Sequence, residues 1–416
     1  MFRALRRAAG VVVLLTACTR GTTPSAVPAE PASAGTSARA NAAAVPARSA
    51  LPPPAGPIRA RPSPCLPGEP YAAPAAIAEA ADAELFRGAP ARALSCSEEA
   101  IRLSPRLVPA LAARAAALTA LGRLDDARTA FARALAVDPD DPATLLGAAE
   151  LYVRRLGSSR DALEAGLEYA LRGVRAAQLR RDPALGTRLE LVAGMAENDL
   201  GRSHLALPHL DRAVAGRAGD PDAVYERGVA LFELCRFPEA QRAFERALAL
   251  APDDPWALHQ LGLLAERRGE EGRAGELAAR ARELAPEEFR PELPVDAAAF
   301  QAEVQAAIAA LPEADRRALR QVPVEIADLP DASDLLEASP PLSPSILGLF
   351  RGPSEDEPCT GADGPTCRSI VVYRKNLLRF ARDRRELSEQ VRVTLLHELG
   401  HLRGETEDEL RDRGLE

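Results

Sequence analysis

Apolar residues through the middle of the chain keep a helical period, in paired blocks that recur. Ala93 and Ala127 stand 34 residues apart, as do Ala240 and Ala274. The same step separates Pro105 from Pro139 and Pro252 from Pro286. Within a block, Ala127, Phe131, Ala134 and Pro139 are matched by Ala240, Phe244, Ala247 and Pro252. Gly228 and Gly262 occupy a small position in the preceding helix, where paired helices approach closely and the Phe fills the gap between blocks. DPDD and APDD runs mark the turns. Region 142–220 holds two weaker copies, the first with an insertion near Leu156–Ser159 and a longer second helix. The pattern predicts about six helix pairs over residues 73–288, stacked as a superhelix with a concave face.

Beyond residue 288 the period changes. Phe300–Ala310, ahead of Pro312, reads as a helix. Val322–Ala327, Ser345–Phe350 and Ser369–Tyr373 are β-rich runs bounded by Pro, Gly and Asp clusters. Val391, Leu395, Leu396, Leu399 and Leu402 then recur at helical spacing behind Ser388, the expected N-cap. Residues 292–416 are therefore expected to form a small α+β domain, and the chain as a whole to be mainly α. Ser369–Tyr373 is the last strand before the final helix. It is the expected edge strand, able to hold a peptide in extended form.

The final helix carries the candidate chemistry. His397-Glu398-Leu399-Gly400-His401 is an HExxH, and it holds two of only five histidines in 416 residues. Positions i and i+4 share one helix face, so the two imidazoles can bind one zinc ion, with Glu398 as general base. Gly404 follows, able to end the helix in a left-handed turn. Glu407 then extends the pattern to H-E-x-x-H-x-x-G-x-x-E. The expected metal set is His397, His401 and the Glu407 carboxylate. Glu405, Asp408 and Glu409 are acidic too, and Asp408 is the fallback for the third ligand.

Residues 296–416 resemble the small bacterial family of minimal zincin-like metallopeptidases. The matching pieces are LPEADRRAL, VPVEIADLPD, ILGLFRG, the run from SIVVYRKNLL to TLLHELGH, and the close GETEDEL. The resemblance implies a compact α+β zincin fold with His397 and His401 as zinc ligands, Glu398 as base and Gly404 at the turn. The family usually has Asp where this chain has Glu407. The middle of the chain resembles the tetratricopeptide repeat family, which implies a peptide or protein partner. Together these predict a zinc peptidase that hydrolyses peptide bonds in a protein recruited by the repeats. The alternative is a repeat scaffold carrying a metal-binding but inactive zincin domain.

The N-terminus bears on location. Arg3, Arg6 and Arg7 precede the apolar run Ala8–Leu15, too short to span a bilayer. Leu15-Thr16-Ala17-Cys18 resembles the lipobox of bacterial lipoproteins, which implies a leader over 1–17 and lipid on Cys18. Residues 18–72, rich in Ala, Pro, Ser, Thr and Gly, read as a disordered tether. The expected location is the bacterial envelope, at the periplasmic face of the outer membrane, with the lipid as sole membrane attachment. A formal charge of −8 with no basic block argues against nucleic acid as a partner. Lys375 is the only lysine. Cys359 and Cys367 flank a turn-rich insert and are expected to close a disulfide, with metal binding as the alternative. Cys96 and Cys235 are expected as buried small hydrophobes on helices. His204, His209 and His259 are expected at the surface or in packing.

Overall fold

A computed structural model describes residues 65–66, 72–359 and 367–415. The leader, Cys18 and most of the tether lie outside the described residues. Twelve helices come first, in antiparallel pairs. They are α1 (Pro74–Phe86), α2 (Pro90–Leu103), α3 (Val108–Ala120), α4 (Leu124–Val137), α5 (Pro142–Arg154) and α6 (Arg160–Arg180). Next are α7 (Pro183–Asp199), α8 (Ser203–Gly216), α9 (Pro221–Glu233), α10 (Phe237–Leu250), α11 (Pro255–Arg267) and α12 (Glu271–Leu284).

Local chemistry explains where these helices start. In α5, α7, α9 and α11 an Asp N-cap accepts a backbone N–H of the first turn, and Pro occupies the first helical positions. Proline there sacrifices only an N–H that lacks a helical partner anyway. A Cβ on Gly228 would lie 2.6 Å from the Phe244 ring, and one on Gly147 would lie 2.7 Å from Phe131. The small position and the aromatic are thus two halves of one contact between helices. At Gly262 a Cβ would make only ordinary contacts, 3.5 Å from the Ala274 carbonyl and 3.6 Å from Leu277, because Ala278 stands where the Phe would be. Helix α6 has 21 residues and α7 has 17, against 14 in α4 and 13 in α5. That excess breaks the 34-residue register between Ala127 and Ala240.

The last part of the chain is the expected small α+β unit. It contains α13 (Ala297–Ala310), α14 (Glu313–Leu319), β1 (Val324–Ala327), α15 (Ala332–Leu336), β2 (Gly348–Arg351) and β3 (Ser369–Tyr373). It closes with α16 (Arg374–Phe380), α17 (Arg384–Leu402) and α18 (Glu407–Asp412). The strand order is β1-β3-β2, with β1 parallel and β2 antiparallel to β3. This corrects the expectation for Ser369–Tyr373, which is the central strand and buried throughout. The edge strand beside α17 is β2. Its Gly348 meets Thr394 and Glu398 of that helix. Phe300, Val304, Ile370, Val372, Val391, Leu395 and Leu399 form the core between sheet and helices.

Three cysteines also depart from expectation. Cys96 is bonded to Cys65, with their Cα atoms 5.7 Å apart. Cys65 therefore fastens a point of the supposed tether to α2, and Leu66 packs into the same cluster. Cys235 is not on a helix. It takes a left-handed conformation (φ 57°) in the α9–α10 turn and is only partly buried. Cys359 is paired with Cys367.

The two parts pack directly on each other. Cys235 and Phe237 of the repeats lie against a cluster of Leu335, Leu342, Leu349, Val371 and Tyr373. Lys375 Nζ reaches Glu266 at 3.0 Å and Glu271 at 2.8 Å. Arg379 bonds the same Glu266 and also Glu292. Arg267 stacks over Phe237 and donates to the Pro330 carbonyl at 2.8 Å. Phe289 of the connecting segment packs edge-on against Trp256 and beside His259, so His259 is a packing residue. Glu266 is 9% exposed and shared by two cations. Removing it leaves both partly buried cations with only the exposed carboxylates Glu271 and Glu292, and Glu266→Ala is expected to cost about 1–3 kcal/mol in chemical denaturation.

Candidate metal centre

Helix α17 starts earlier than its sequence suggests. Asp383 is the N-cap and accepts the Glu386 N–H, whereas Ser388 lies inside the helix and donates to Glu303 at 2.8 Å. Val391, Leu395 and Leu399 turn to the core. His397, Glu398 and His401 are left facing β2 and α18. His397 and Glu398 are each 2% exposed, and His401 is partly buried.

The imidazoles face each other edge to face, with Nε2 atoms 3.0 Å apart. Each Nδ1 meets a main-chain carbonyl, Leu415 at 2.7 Å for His397 and Glu405 at 3.3 Å for His401. A carbonyl only accepts, so each Nδ1 donates to it and each Nε2 is turned inward. Glu407 Oε1 is 3.3 Å from His401 Nε2, and its Oε2 is 3.8 Å from His397 Nε2. The ligand atoms of these three residues lie within 4.8 Å of one another, the one such cluster found among the described residues. Ligands at about 2.0–2.2 Å around a tetrahedral zinc sit roughly 3.3 Å apart, so the donor set fits that ion. Asp408, the fallback, turns outward and pairs with Arg411.

Three glycines hold the arrangement together. Gly404 adopts φ +77°, as expected for the turn. Gly400 leaves room for Leu410, which a Cβ would strike. Gly348 lets β2 close on the metal helix, because a Cβ there would stand 2.5 Å from Thr394 Cγ2 and 2.9 Å from Glu398 Oε1. The Phe350 N–H donates to the Glu398 carboxylate. Glu398 Oε2 is buried without a partner. Burial holds the Glu398 carboxyl above the usual range, against the pull of both histidines and the Phe350 N–H. Burial also depresses the His401 imidazole, but the Glu407 hydrogen bond and the charges of Glu398 and Glu407 outweigh this and raise it. Gly348, Gly400 and the Leu415 carbonyl were not legible as site groups in the motif, since each acts through backbone position.

Such a fold and site define a helical-repeat protein joined to an HExxH domain. Residues 319–415 match the family model described as zincin-like metallopeptidase. Residues 108–151 and 221–254 match two tetratricopeptide repeat models. The chain thus carries a zincin-like domain behind tetratricopeptide repeats. No curated protein matches it. Among solved structures it is similar to PilF of Pseudomonas aeruginosa, at 18% identity and TM-score 0.45 over 56% of this chain and 97% of that one. It is also similar to PilW, described as a widely conserved type IV pilus biogenesis factor, at 19% identity and TM-score 0.45 over 52% and 95%. YrrB, described as a TPR protein with an unusual peptide-binding site, matches at 21% identity and TM-score 0.36 over 46% and 92%. These likenesses concern repeat architecture alone.

Protons compete with a metal for His401. Its raised pKa means that zinc affinity should climb as pH rises through the imidazole range, between about pH 5 and 8, and then level off. The metal-free protein has the opposite sign. The stability from the His401–Glu407 pair is fully present below the imidazole's unfolded pKa and is lost as pH rises through its higher folded value. Chelator competition and metal-free urea melts across that window check both slopes. Separately, Gly348→Ala is expected to destabilise by about 1–3 kcal/mol in urea, because strand and helix must part to admit the methyl.

Proposed function

We propose that the chain is an exported zinc metallopeptidase, anchored by lipid at Cys18, whose repeats bring a protein to the HExxH domain. The observation that carries this reading is the convergence of two inward Nε2 atoms and the Glu407 carboxylate beside a buried carboxylate oxygen with no partner. His397, His401 and Glu407 would hold a zinc ion, which would supply Lewis-acid chemistry for activating water and polarising a carbonyl. Glu398 Oε2 takes the proton of the attacking water and passes it to the leaving amine. Oε1 stays fixed by the Phe350 N–H, so the carboxylate keeps its aim. Burial raises its pKa, which makes it a stronger base than a carboxylate in water. Because β2 is the edge strand beside the metal helix, an extended peptide would pair along β2 rather than β3.

Export is supported by the cysteines. Cys65–Cys96 and Cys359–Cys367 are paired, and structural disulfides persist in oxidising compartments. This agrees with the leader and lipobox and with a periplasmic position at the outer membrane. The repeats are more than a spacer, since their α9–α12 end packs against the zincin-like domain.

A second reading has its own support. His397 and Glu398 are almost wholly buried, which suits a metal-stabilised scaffold domain without turnover. Zinc content and peptide hydrolysis of the wild type and Glu398→Gln separate the two. The peptidase reading expects stoichiometric zinc in both proteins and hydrolysis about 10²–10⁴-fold slower in the variant. Equal cleavage by both would overturn it. Zinc without any cleavage by the wild type would favour the scaffold.

A further inference from the structure

The two helices of the centre end in the same way. After α17, Gly404 stands at φ +77°, its N–H bonds the His401 carbonyl, and the Glu405 N–H returns to the Gly400 carbonyl. After α18, Gly414 stands at φ +70°, its N–H bonds the Arg411 carbonyl, and the Leu415 N–H returns to the Leu410 carbonyl. Both are Schellman caps, in which a left-handed glycine turns the chain so that the next residue folds back along the helix. In both, the residue after the glycine delivers its carbonyl to a histidine Nδ1, Glu405 to His401 and Leu415 to His397.

We propose that the Leu415 carbonyl, set by the left-handed Gly414, is a positioning group for His397, as the Glu405 carbonyl set by Gly404 is for His401. The inference rests on the zinc site proposed above and deepens it. It extends the site from the HExxH face to Leu415 beyond α18, eleven residues after Gly404.

The rest of α18 is built to make that delivery accurate. Thr406 and Glu409 form a capping box that fixes its start, placing Glu407 as its first residue. Leu410 packs into the space left by Gly400, which fixes its height along α17. The Leu415 N–H is tied back to the Leu410 carbonyl, so main-chain bonds fix the direction of its own carbonyl. One short helix therefore carries the third ligand at its first residue and the outer acceptor of the first ligand just past its last. Metal-bound histidines commonly donate their other ring N–H to such an acceptor, and losing it typically costs 10–100-fold in affinity. Nothing in the HExxH pattern names these residues, because the acting group is a carbonyl.

The test uses the full chain with Gly414→Val, Gly414→Asn and Leu415→Ala. A valine strains at positive φ, asparagine tolerates it, and alanine keeps the carbonyl while trimming the side chain. Two readouts apply: the ring tautomer of His397 by ¹⁵N NMR in zinc-free protein, and zinc affinity by chelator competition. Wild type, Gly414→Asn and Leu415→Ala should hold the Nδ1-protonated ring, with zinc affinity within a few-fold of one another. Gly414→Val should lose the single tautomer and about 10–100-fold in affinity. A chain ending at Gly414 should behave like Gly414→Val, and it stands in if valine prevents folding. A mixed His397 tautomer in the wild type, unchanged affinity in Gly414→Val, or an equal loss in Leu415→Ala would each overturn the proposal. Wild type with the Nδ1 tautomer but no zinc uptake would instead sink the metallopeptidase reading and leave this one standing.

Discussion

Two inward-facing imidazole nitrogens set 3.0 Å apart, with the Glu407 carboxylate beside them, are the constraint on which this structure turns. Without a cation between them the pair is electrostatically unfavourable, and in the metal-free chain a proton shared toward Glu407 is the nearest remedy. The arrangement persists because each ring is held from behind by a carbonyl, and each carbonyl is held by a glycine-capped helix end. A cation entering between the two nitrogens and Glu407 would offset the cost of that preorganisation. It is the logic of a ligand site rather than of a satisfied core.

Precision at the site also depends on what lies beneath it. Helix α16 joins the central strand to the metal helix, and it is the element that grips the repeats. Its Lys375 and Arg379 converge on Glu266 from α11, with Glu271 and Glu292 at the rim. A charge cluster of this kind, largely out of water, gives direction as much as affinity, since neither cation has another buried anion to choose. Arg267 stacked on Phe237 and bonded to the Pro330 carbonyl adds a second fixed point. The repeats therefore act as a foundation for the small domain. A small domain built on three short strands would otherwise have a limited core of its own.

Much of this was legible in the chain. The repeat period, the change of period after residue 288, the HExxH face and the Gly404 turn are all local patterns, and local patterns survive in a sequence read one window at a time. Strand order is not local. Ser369–Tyr373 was misplaced at the edge, although the four consecutive apolar residues Ile370–Tyr373, without alternation, already suggested burial on both faces. The Cys65–Cys96 pair was hidden because a Pro-rich, polar stretch gives no sign that one of its points is fastened to a helix. Helix α17 begins at Asp383 because Asp-x-x-Glu competes with Ser388 as a start signal, and the longer helix buries Leu387 as well. The contribution of α18 was half legible. Thr406-x-x-Glu409 and the Gly414 beyond it are ordinary start and stop signals, but their geometric result appears only when the helix is folded onto Gly400.

Burial of Glu398 links the fold to its chemistry most directly. A carboxylate surrounded by water would be a weak base and would have no fixed aim. Here β2 closes over it, made possible by Gly348. One oxygen is committed to the Phe350 N–H, and the other is left buried without a partner. The same closure that raises its basicity also limits access to it. The edge strand is therefore the element on which both demands fall. A substrate strand laid along β2 would come nearest to Glu398 at the point where Gly348 lets strand and helix approach. Basicity and access are then set at one contact, between a glycine of the edge strand and the glutamate of the motif.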